Sequence, residues 1–196
     1  MPSYLAGRLK ITYPVLGKDC CTAPLRSQHH RSGYKLPFLS EPSTSWAKNS
    51  KSSLNNREFV KRSIAELLAL KCIKEVQDVP YCCNPLTVAG NPGEKLRLVL
   101  DLHQVNEYIS PSKFRYEDLR TFAQLFEQGD YFFTFDLKYG YHHVEVHGQF
   151  KKYLGFSWPH RDGTVRYYVF LVVRFGLNVA CYVFTKLFTF LRLAEY

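Results

Sequence analysis

The stretch at residues 131–143 constrains the fold of this chain more than any other part of the sequence. It begins with a nearly unbroken aromatic run. On a strand, one face would carry Tyr131, Phe133 and Phe135, and the other would carry Phe132, Thr134 and Asp136. The strand would end at Asp136, and Gly140 and Tyr141 follow shortly afterwards. A carboxylate at the end of a buried strand is costly unless a cation or a hydrogen-bond donor meets it. The pattern therefore predicts either an aspartate with such a partner or a core strand that ends in a capping aspartate.

Composition predicts a folded domain that carries a basic N-terminal segment. Hydrophobic residues make up 46% of the 196 residues, and aromatic residues make up 16%, which is enough for a core. The net charge is +9, but residues 1–56 hold 8 Lys/Arg against 2 Asp/Glu, a net +6. This segment shows no helical or strand period. We therefore expect a basic, poorly ordered arm over residues 1–56 and one domain over residues 57–196, with polyanions as partners.

The cysteines and the apolar stretches argue against several classes of protein. Six cysteines occur without any Cys-x-x-Cys pair, so we do not expect a zinc site. No apolar signal segment follows Met1, which predicts an intracellular protein in a reducing compartment. Charged residues interrupt the apolar stretch at 167–193, so we expect no membrane span.

The first predicted element of the domain is a helix that begins near Asn55, with Glu58 reaching back as part of a capping box. Pro80 would end the helical pattern. The apolar side chains recur at helical spacing and predict a core-facing stripe: Val60, Ile64, Leu67, Leu68, Cys72 and Val76.

A hairpin is predicted next, with turn residues at 90–93 and a return strand that begins near Lys95. Lys95 and Arg97 would project to the same side of that strand, where they could bind a polyphosphate. A solvated sheet face would give the same alternation. Leucines would occupy the opposite side of the strand: Leu96, Leu98, Leu100 and Leu102.

The rest of the chain predicts alternating helices and strands. We expect a helix over 117–128, a strand over 131–136, a hairpin of strands 152–158 and 164–171, and a helix over 178–192. The strand and the hairpin would form one sheet, with both helices on one face. The adjacent residues His142 and His143 would point apart, and we interpret them as surface or template-contacting groups.

Three motifs in order carry a resemblance to a known family. Residues 135–142 read Phe-Asp-Leu-Lys-Tyr-Gly-Tyr-His, residues 95–106 run from Lys95 to Asn106, and residues 175–177 read Phe-Gly-Leu. Together they resemble reverse transcriptases, particularly those of long-terminal-repeat and tyrosine-recombinase retrotransposons. The resemblance implies an α+β fold, with the fingers and part of the palm of an RNA-directed DNA polymerase. It also implies an antiparallel sheet with helices on one face.

The resemblance also implies a set of site residues. Asp136 would be the catalytic carboxylate and, with the carbonyl of Leu137, would bind Mg²⁺ or Mn²⁺ in the complete enzyme. Asp101 would lie close to an RNA or DNA template-primer. The deoxynucleotide triphosphate would contact seven residues, of which the first two would bind its phosphates: Lys95, Arg97, Tyr139, Gly140, Tyr141, Phe175 and Gly176.

The sequence departs from the family pattern at several positions. Arg174 and Cys181 stand where the family motif has prolines, which loosens loop geometry that proline normally fixes, and His103 stands where the family often has Arg. No Tyr-x-Asp-Asp sequence occurs before the last residue, Tyr196. We therefore expect a truncated and inactive polymerase fragment. A non-catalytic nucleic-acid-binding remnant and a protein-interaction module are the alternatives.

Overall fold

The computed structural model describes residues 33–90, 95–110, 120, 123, 124, 127–131 and 140–193, the last seven by their backbone. The strands are β1 Ser45–Trp46, β2 Ile73–Val76, β3 Cys82–Cys83, β4 Leu86–Ala89, β5 Arg97–Leu100, β6 Gly155–Pro159 and β7 Val165–Phe170. The α-helices are α1 Lys51–Asn55, α2 Arg57–Ala69, α3 His103–Asn106 and α4 Ala180–Leu193. Two 3₁₀ helices span Gly140–His143 and Gly148–Tyr153.

The larger sheet is mixed and has the strand order β1-β3-β6-β7-β2. Strand β7 pairs antiparallel with both β6 and β2, whereas β3 pairs in parallel with β1 and with β6. The predicted α+β class is confirmed, although the parallel pairs make the sheet mixed where the sequence predicted an antiparallel one. The predicted strand 131–136 and most of the predicted helix 117–128 lie outside the described residues.

The hairpin of β6 and β7 forms the centre of this sheet, as its alternating apolar residues predict. Four of its aromatic side chains are fully buried: Phe156, Trp158, Tyr168 and Phe170. The rings of Phe156 and Tyr168 stack with their centroids 5.1 Å apart. The first strand begins at Gly155 and not at residue 152. The preceding residues form a 3₁₀ helix instead, where the His147 ring accepts a hydrogen bond from the Gln149 N–H.

Helix α2 ends at Ala69, seven residues before the end of the apolar stripe that the sequence predicted to run to Val76. Its N-cap residue, Asn56, makes no side-chain cap hydrogen bond, and Glu58 instead forms ion pairs with Lys61 and Arg161. The prediction of a capping box formed by Asn55 and Glu58 is therefore wrong. The helix ends at Ala69, and the chain turns through Lys71 at a φ of 55°.

The residues that continued the helical spacing beyond this turn belong to strand β2. Ile73 pairs with Phe170 and Val76 pairs with Tyr167, so pairing with β7 determines their conformation. Cys72 is buried in the turn before the strand. Leu68, which the stripe also included, is 36% exposed.

Part of the segment expected to be a poorly ordered arm is folded in the structure. Within residues 33–56, Tyr34 forms a β-bridge to Val146, and Leu36 is buried. Glu41 accepts hydrogen bonds from the Tyr153 hydroxyl at 2.7 Å and the Lys152 ammonium at 3.1 Å. These contacts tie residues 33–56 to the rest of the domain. Residues 1–32 lie outside the described part of the chain.

Strands β4 and β5 form a separate two-stranded sheet, as predicted, with Leu86 opposite Leu100. The leucine side of β5 is the more buried side, whereas Lys95 and Arg97 are exposed. An isolated two-stranded hairpin is marginally stable in water. Here the segment before α2 supports β4, because Asn49 Oδ1 accepts the Leu86 N–H and Ser52 Oγ accepts the Val88 N–H.

Close packing at the start of β6 generates a stability prediction. A Cβ at Gly155 would overlap the Pro80 ring and lie 2.8 Å from the Cys82 carbonyl oxygen, whereas a Cβ at Gly148 would meet no atom within 4 Å. We expect Gly155→Ala to lower the free energy of unfolding by about 1–3 kcal/mol, the usual cost of overpacking. Gly148→Ala is the matched control. Urea denaturation followed by circular dichroism measures both, and equal midpoints would contradict the packing argument.

Candidate nucleotide-binding site

The structure brings most of the predicted nucleotide-binding residues onto three neighbouring segments. These are strand β5, the 3₁₀ helix Gly140–His143, and the segment at residues 171–179, which we call the Phe-Gly loop. Three of the predicted site residues lie outside the described part of the chain: Asp136, Leu137 and Tyr139.

Aromatic contacts join the 3₁₀ helix to the Phe-Gly loop. The Tyr141 ring packs edge-on against the Phe175 ring, with centroids 4.3 Å apart and an interplanar angle of 82°. The Phe184 ring of α4 lies 5.0 Å from the Tyr141 ring. A Cβ at Gly140 would come within 2.7 Å of Phe184, so the missing side chain provides the space for that ring. Phe175 remains 64% exposed and available to a ligand.

The Phe-Gly loop contains a tight turn that Asn106 holds on both sides. Leu177 N–H donates to the Arg174 carbonyl, and Gly176 has a φ of 99°, a value that favours glycine. Asn106 Nδ2 donates to the Gly176 carbonyl at 2.6 Å, while Asn106 Oδ1 accepts the Asn178 N–H at 3.0 Å. The asparagine that closes the 95–106 motif therefore positions the loop.

The cations of the predicted site lie at the start of strand β5 and just before it. Lys95 and Arg97 are both exposed, which suits groups that bind a charged ligand from solution. Asp101 is exposed as well, and its Oδ1 accepts the His103 N–H at 3.0 Å at the start of α3. That carboxylate thus stabilises the local turn.

Arg174, which replaces a proline of the family pattern, is a buried cation. Its Nη2 donates to the Leu98 carbonyl of β5 at 2.8 Å, and its Nη1 lies 3.2 Å from His142 Nε2. The guanidinium carbon lies 4.7 Å from the centre of the Phe170 ring. Burial lowers the pKa of Arg174 to about 10, so the side chain still carries its charge at neutral pH.

His142 is buried, which corrects the prediction of a surface or template-contacting histidine. Its Nε2 is the atom that accepts from Arg174, so the ring is neutral and the proton is on Nδ1. Burial, together with the positive charge of Arg174, lowers the pKa of His142 to about 4. Two adjacent histidines form no periodic pattern from which the burial of one of them could be predicted. The one signal in the sequence is Arg174, a cation that follows an apolar run and therefore needs a buried partner.

Cys181 occupies the second of the two proline positions. Its sulfur lies 3.3 Å from the Tyr141 hydroxyl, on the exposed side of α4. The other described cysteines, Cys72, Cys82 and Cys83, are buried and free, and burial raises the pKa of each of their thiols. Their environment favours the protonated thiol, which is the unreactive form.

Neither a metal cluster nor a membrane helix is found among the residues that the structure describes. Within the described ranges, no three His, Cys, Asp or Glu side chains lie close enough together to hold a metal ion. The predicted metal ligands are outside those ranges. In the same part of the chain, no helix has the length and apolarity needed to span a bilayer.

Comparison of the sequence with protein families gives one match. The profile described as reverse transcriptase (RNA-dependent DNA polymerase) matches residues 94–192, which is half of the chain. The chain belongs to the reverse transcriptase family. The match includes β5, Asn106, the 3₁₀ helix and the Phe-Gly loop, that is, every segment that contributes to the site described above. A comparison with curated proteins gave no match.

Solved reverse transcriptases share the fold. The foamy viral protease-reverse transcriptase in complex with double-stranded DNA matches with a TM-score of 0.58 at 16% identity, over 76% of this chain and 29% of that chain. The CSH mutant of the prototype foamy virus protein gives a TM-score of 0.60 at 16% identity, over 79% and 21% of the two chains. The chain thus spans less than a third of the length of these structures.

The buried histidine generates a pH prediction. An unfolded His142 would titrate near pH 6.5, whereas the folded residue has a pKa of about 4. The unfolded state therefore binds an extra proton between these values, and stability is lost as the pH falls from about 6.5 towards 4. The loss attributable to this residue should approach about 3 kcal/mol, at 1.36 kcal/mol for each pKa unit.

His142→Gln keeps an acceptor for Arg174 and removes the titration. We expect the variant to lose less stability than the parent protein between pH 7 and pH 4.5, as measured by urea denaturation at both pH values. Equal losses in the two proteins would mean that the imidazole does not remain neutral on folding.

Proposed function

We propose that this chain supplies the fingers and the first part of the palm of an RNA-directed DNA polymerase of retrotransposon origin. One observation carries the proposal. The three motif segments that resemble the family meet through Tyr141 against Phe175 and through Asn106 against Gly176. A solvated surface gives no reason for motifs from residues 95–106, 140–143 and 174–178 to converge. Binding of a shared ligand requires such convergence.

In this proposal the nucleotide lies between strand β5 and the Phe-Gly loop. Arg97 and Lys95 bind the triphosphate, and an arginine suits this task because its planar donors match phosphate oxygens. Tyr139, Gly140 and Tyr141 line the pocket from one side, and Phe175 and Gly176 line it from the other. The Tyr141 ring would face the sugar, where a ring excludes an added 2′ hydroxyl by steric contact.

The same proposal assigns the divalent cation to Asp136 and to the carbonyl of Leu137. Oxygen ligands suit Mg²⁺ or Mn²⁺, and a pair of such ions would activate the attacking oxygen and stabilise the leaving one. A single side-chain carboxylate does not hold two ions, and the sequence contains no Tyr-x-Asp-Asp motif. The complete enzyme would therefore need carboxylates beyond those named here.

The nucleic acid is proposed to be an RNA or DNA template-primer. Asp101 would lie beside the template, at the end of the hairpin that carries the phosphate-binding cations. The basic segment 1–56, with its net charge of +6, would add electrostatic attraction to the phosphate backbone. This charge also favours a second candidate function, a non-catalytic nucleic-acid-binding protein.

Primer extension tests the catalytic part of the proposal. We expect these 196 residues to incorporate no nucleotide on a primed RNA template with Mg²⁺ or Mn²⁺, because the metal pair has only one side-chain carboxylate. Asp136→Asn is the matched variant and should behave like the parent protein in this assay. Extension by the parent protein and none by the variant would contradict the prediction of inactivity and show that other ligands complete the metal site.

Salt dependence of binding tests the nucleic-acid part. The chain should bind the same primed template, and the logarithm of affinity should fall with the logarithm of salt concentration at a slope of about −0.7 per neutralised phosphate on single strands. Deleting residues 1–32 removes most of the arm's positive charge and should flatten this slope more than Arg97→Ala does. Binding that is absent, or insensitive to salt, would favour a protein-interaction module instead.

A further inference from the structure

Arg174 is a buried cation without a counter-ion in the described part of the chain. It is 7% exposed, and none of the described carboxylates forms an ion pair with it. Burial of an unpaired charge typically costs several kcal/mol. The contacts that Arg174 makes must offset this cost.

Each polar contact of Arg174 is made to the immediate neighbour of a proposed nucleotide-binding residue. Its Nη2 donates at 2.8 Å to the carbonyl of Leu98, which follows Arg97 in strand β5. Its Nη1 donates to the ring of His142, which follows Tyr141. Arg174 itself precedes Phe175, whose ring packs against Tyr141.

The position of Leu98 on the hairpin explains why a side chain is needed there. Leu98 pairs with Val88, and the Val88 N–H donates away from β5, to Ser52 Oγ. The Leu98 carbonyl likewise points away from β4 and accepts from Arg174. The guanidinium therefore connects the outer edge of the hairpin to the centre of the domain.

We propose that Arg174 is a positioning residue that holds strand β5, the 3₁₀ helix Gly140–His143 and the Phe-Gly loop together around the nucleotide. This inference rests on the proposed function. The guanidinium is suited to the role because its planar fork donates in two directions at once, to Leu98 and to His142. A lysine ammonium, as a point charge, does not reproduce this geometry.

A purely structural role would give a different result from a positioning role. If Arg174 only fills space in the core, its replacement changes the overall stability and leaves the relative order of the three segments unchanged. If it positions the site, its replacement loosens residues 97–100 and 140–143 as well as its own loop. Local hydrogen exchange separates these cases, since it reports opening segment by segment.

The test uses the full 196-residue chain with Arg174→Met, Arg174→Lys and a control, Val60→Ala. The methionine variant keeps an unbranched side chain of similar length and removes both donors, so the Leu98 carbonyl and His142 Nε2 lose their partner. Val60 is fully buried in α2, which is none of the three segments, so its truncation reports general destabilisation. We expect Arg174→Met to increase amide exchange in 97–100 and in 140–143 more than in the rest of the domain, and Val60→Ala to increase exchange without this selectivity. Arg174→Lys should fall between Arg174→Met and the parent protein.

Nucleotide affinity gives the second readout, with a fluorescent deoxyadenosine triphosphate and Mg²⁺ as the probe. We expect Arg174→Met to bind it about tenfold more weakly, within the range of coupling effects of residues that do not touch the ligand. Unchanged exchange in 97–100 and 140–143 would overturn the positioning role, as would affinity equal to that of the parent protein. If the parent protein itself binds no nucleotide, the proposed function fails, and the exchange measurement still decides whether Arg174 joins the segments.

Discussion

The backbone pairing that continues from β7 into the Phe-Gly loop is the constraint on which the candidate site depends. Beyond Phe170 the chain keeps its hydrogen bonds, because Val146 N–H donates to the Leu171 carbonyl and Val173 N–H donates to the Val144 carbonyl. The loop thus leaves the buried centre of the sheet in a fixed direction. The packing of Tyr141 against Phe175 follows from this pairing, since the rings lie just before and just after the paired residues.

The hairpin of β4 and β5 depends on the rest of the domain in a different way. Two strands alone provide too little buried surface for independent stability. Both outer edges of this hairpin are occupied by side chains, Asn49 and Ser52 on β4 and Arg174 on β5. Exposed strand edges also invite pairing with other chains, and these side chains occupy three groups that such pairing would use, the Leu86 N–H, the Val88 N–H and the Leu98 carbonyl. The segment before α2 is therefore part of the folded unit.

Sequence patterns predicted the elements that local periodicity determines. Hairpin β6–β7 follows a period of two residues and forms, although its first strand begins at Gly155. Helix α4, which the family resemblance predicted over 178–192, begins at Ala180. Strand β2 was missed because Val76 continued the helical spacing, and only pairing with β7 overrides that propensity. The fold of residues 33–56 and the burial of His142 depend on partners distant in sequence, for which a local pattern contains no information.

Arg174 stands where the family motif has proline, and the two residues restrain the Phe-Gly loop in different ways. Proline restricts φ through its own ring, so its effect is local and does not depend on the surroundings. Arg174 restrains the loop only while the Leu98 carbonyl and the His142 ring are in place. The loop geometry is thereby coupled to the position of the hairpin: a displacement of β5 breaks the contact to Leu98, whereas the contact to His142, which lies beside the loop, can persist. In this chain the two sides of the proposed nucleotide pocket are therefore linked by the Arg174 side chain.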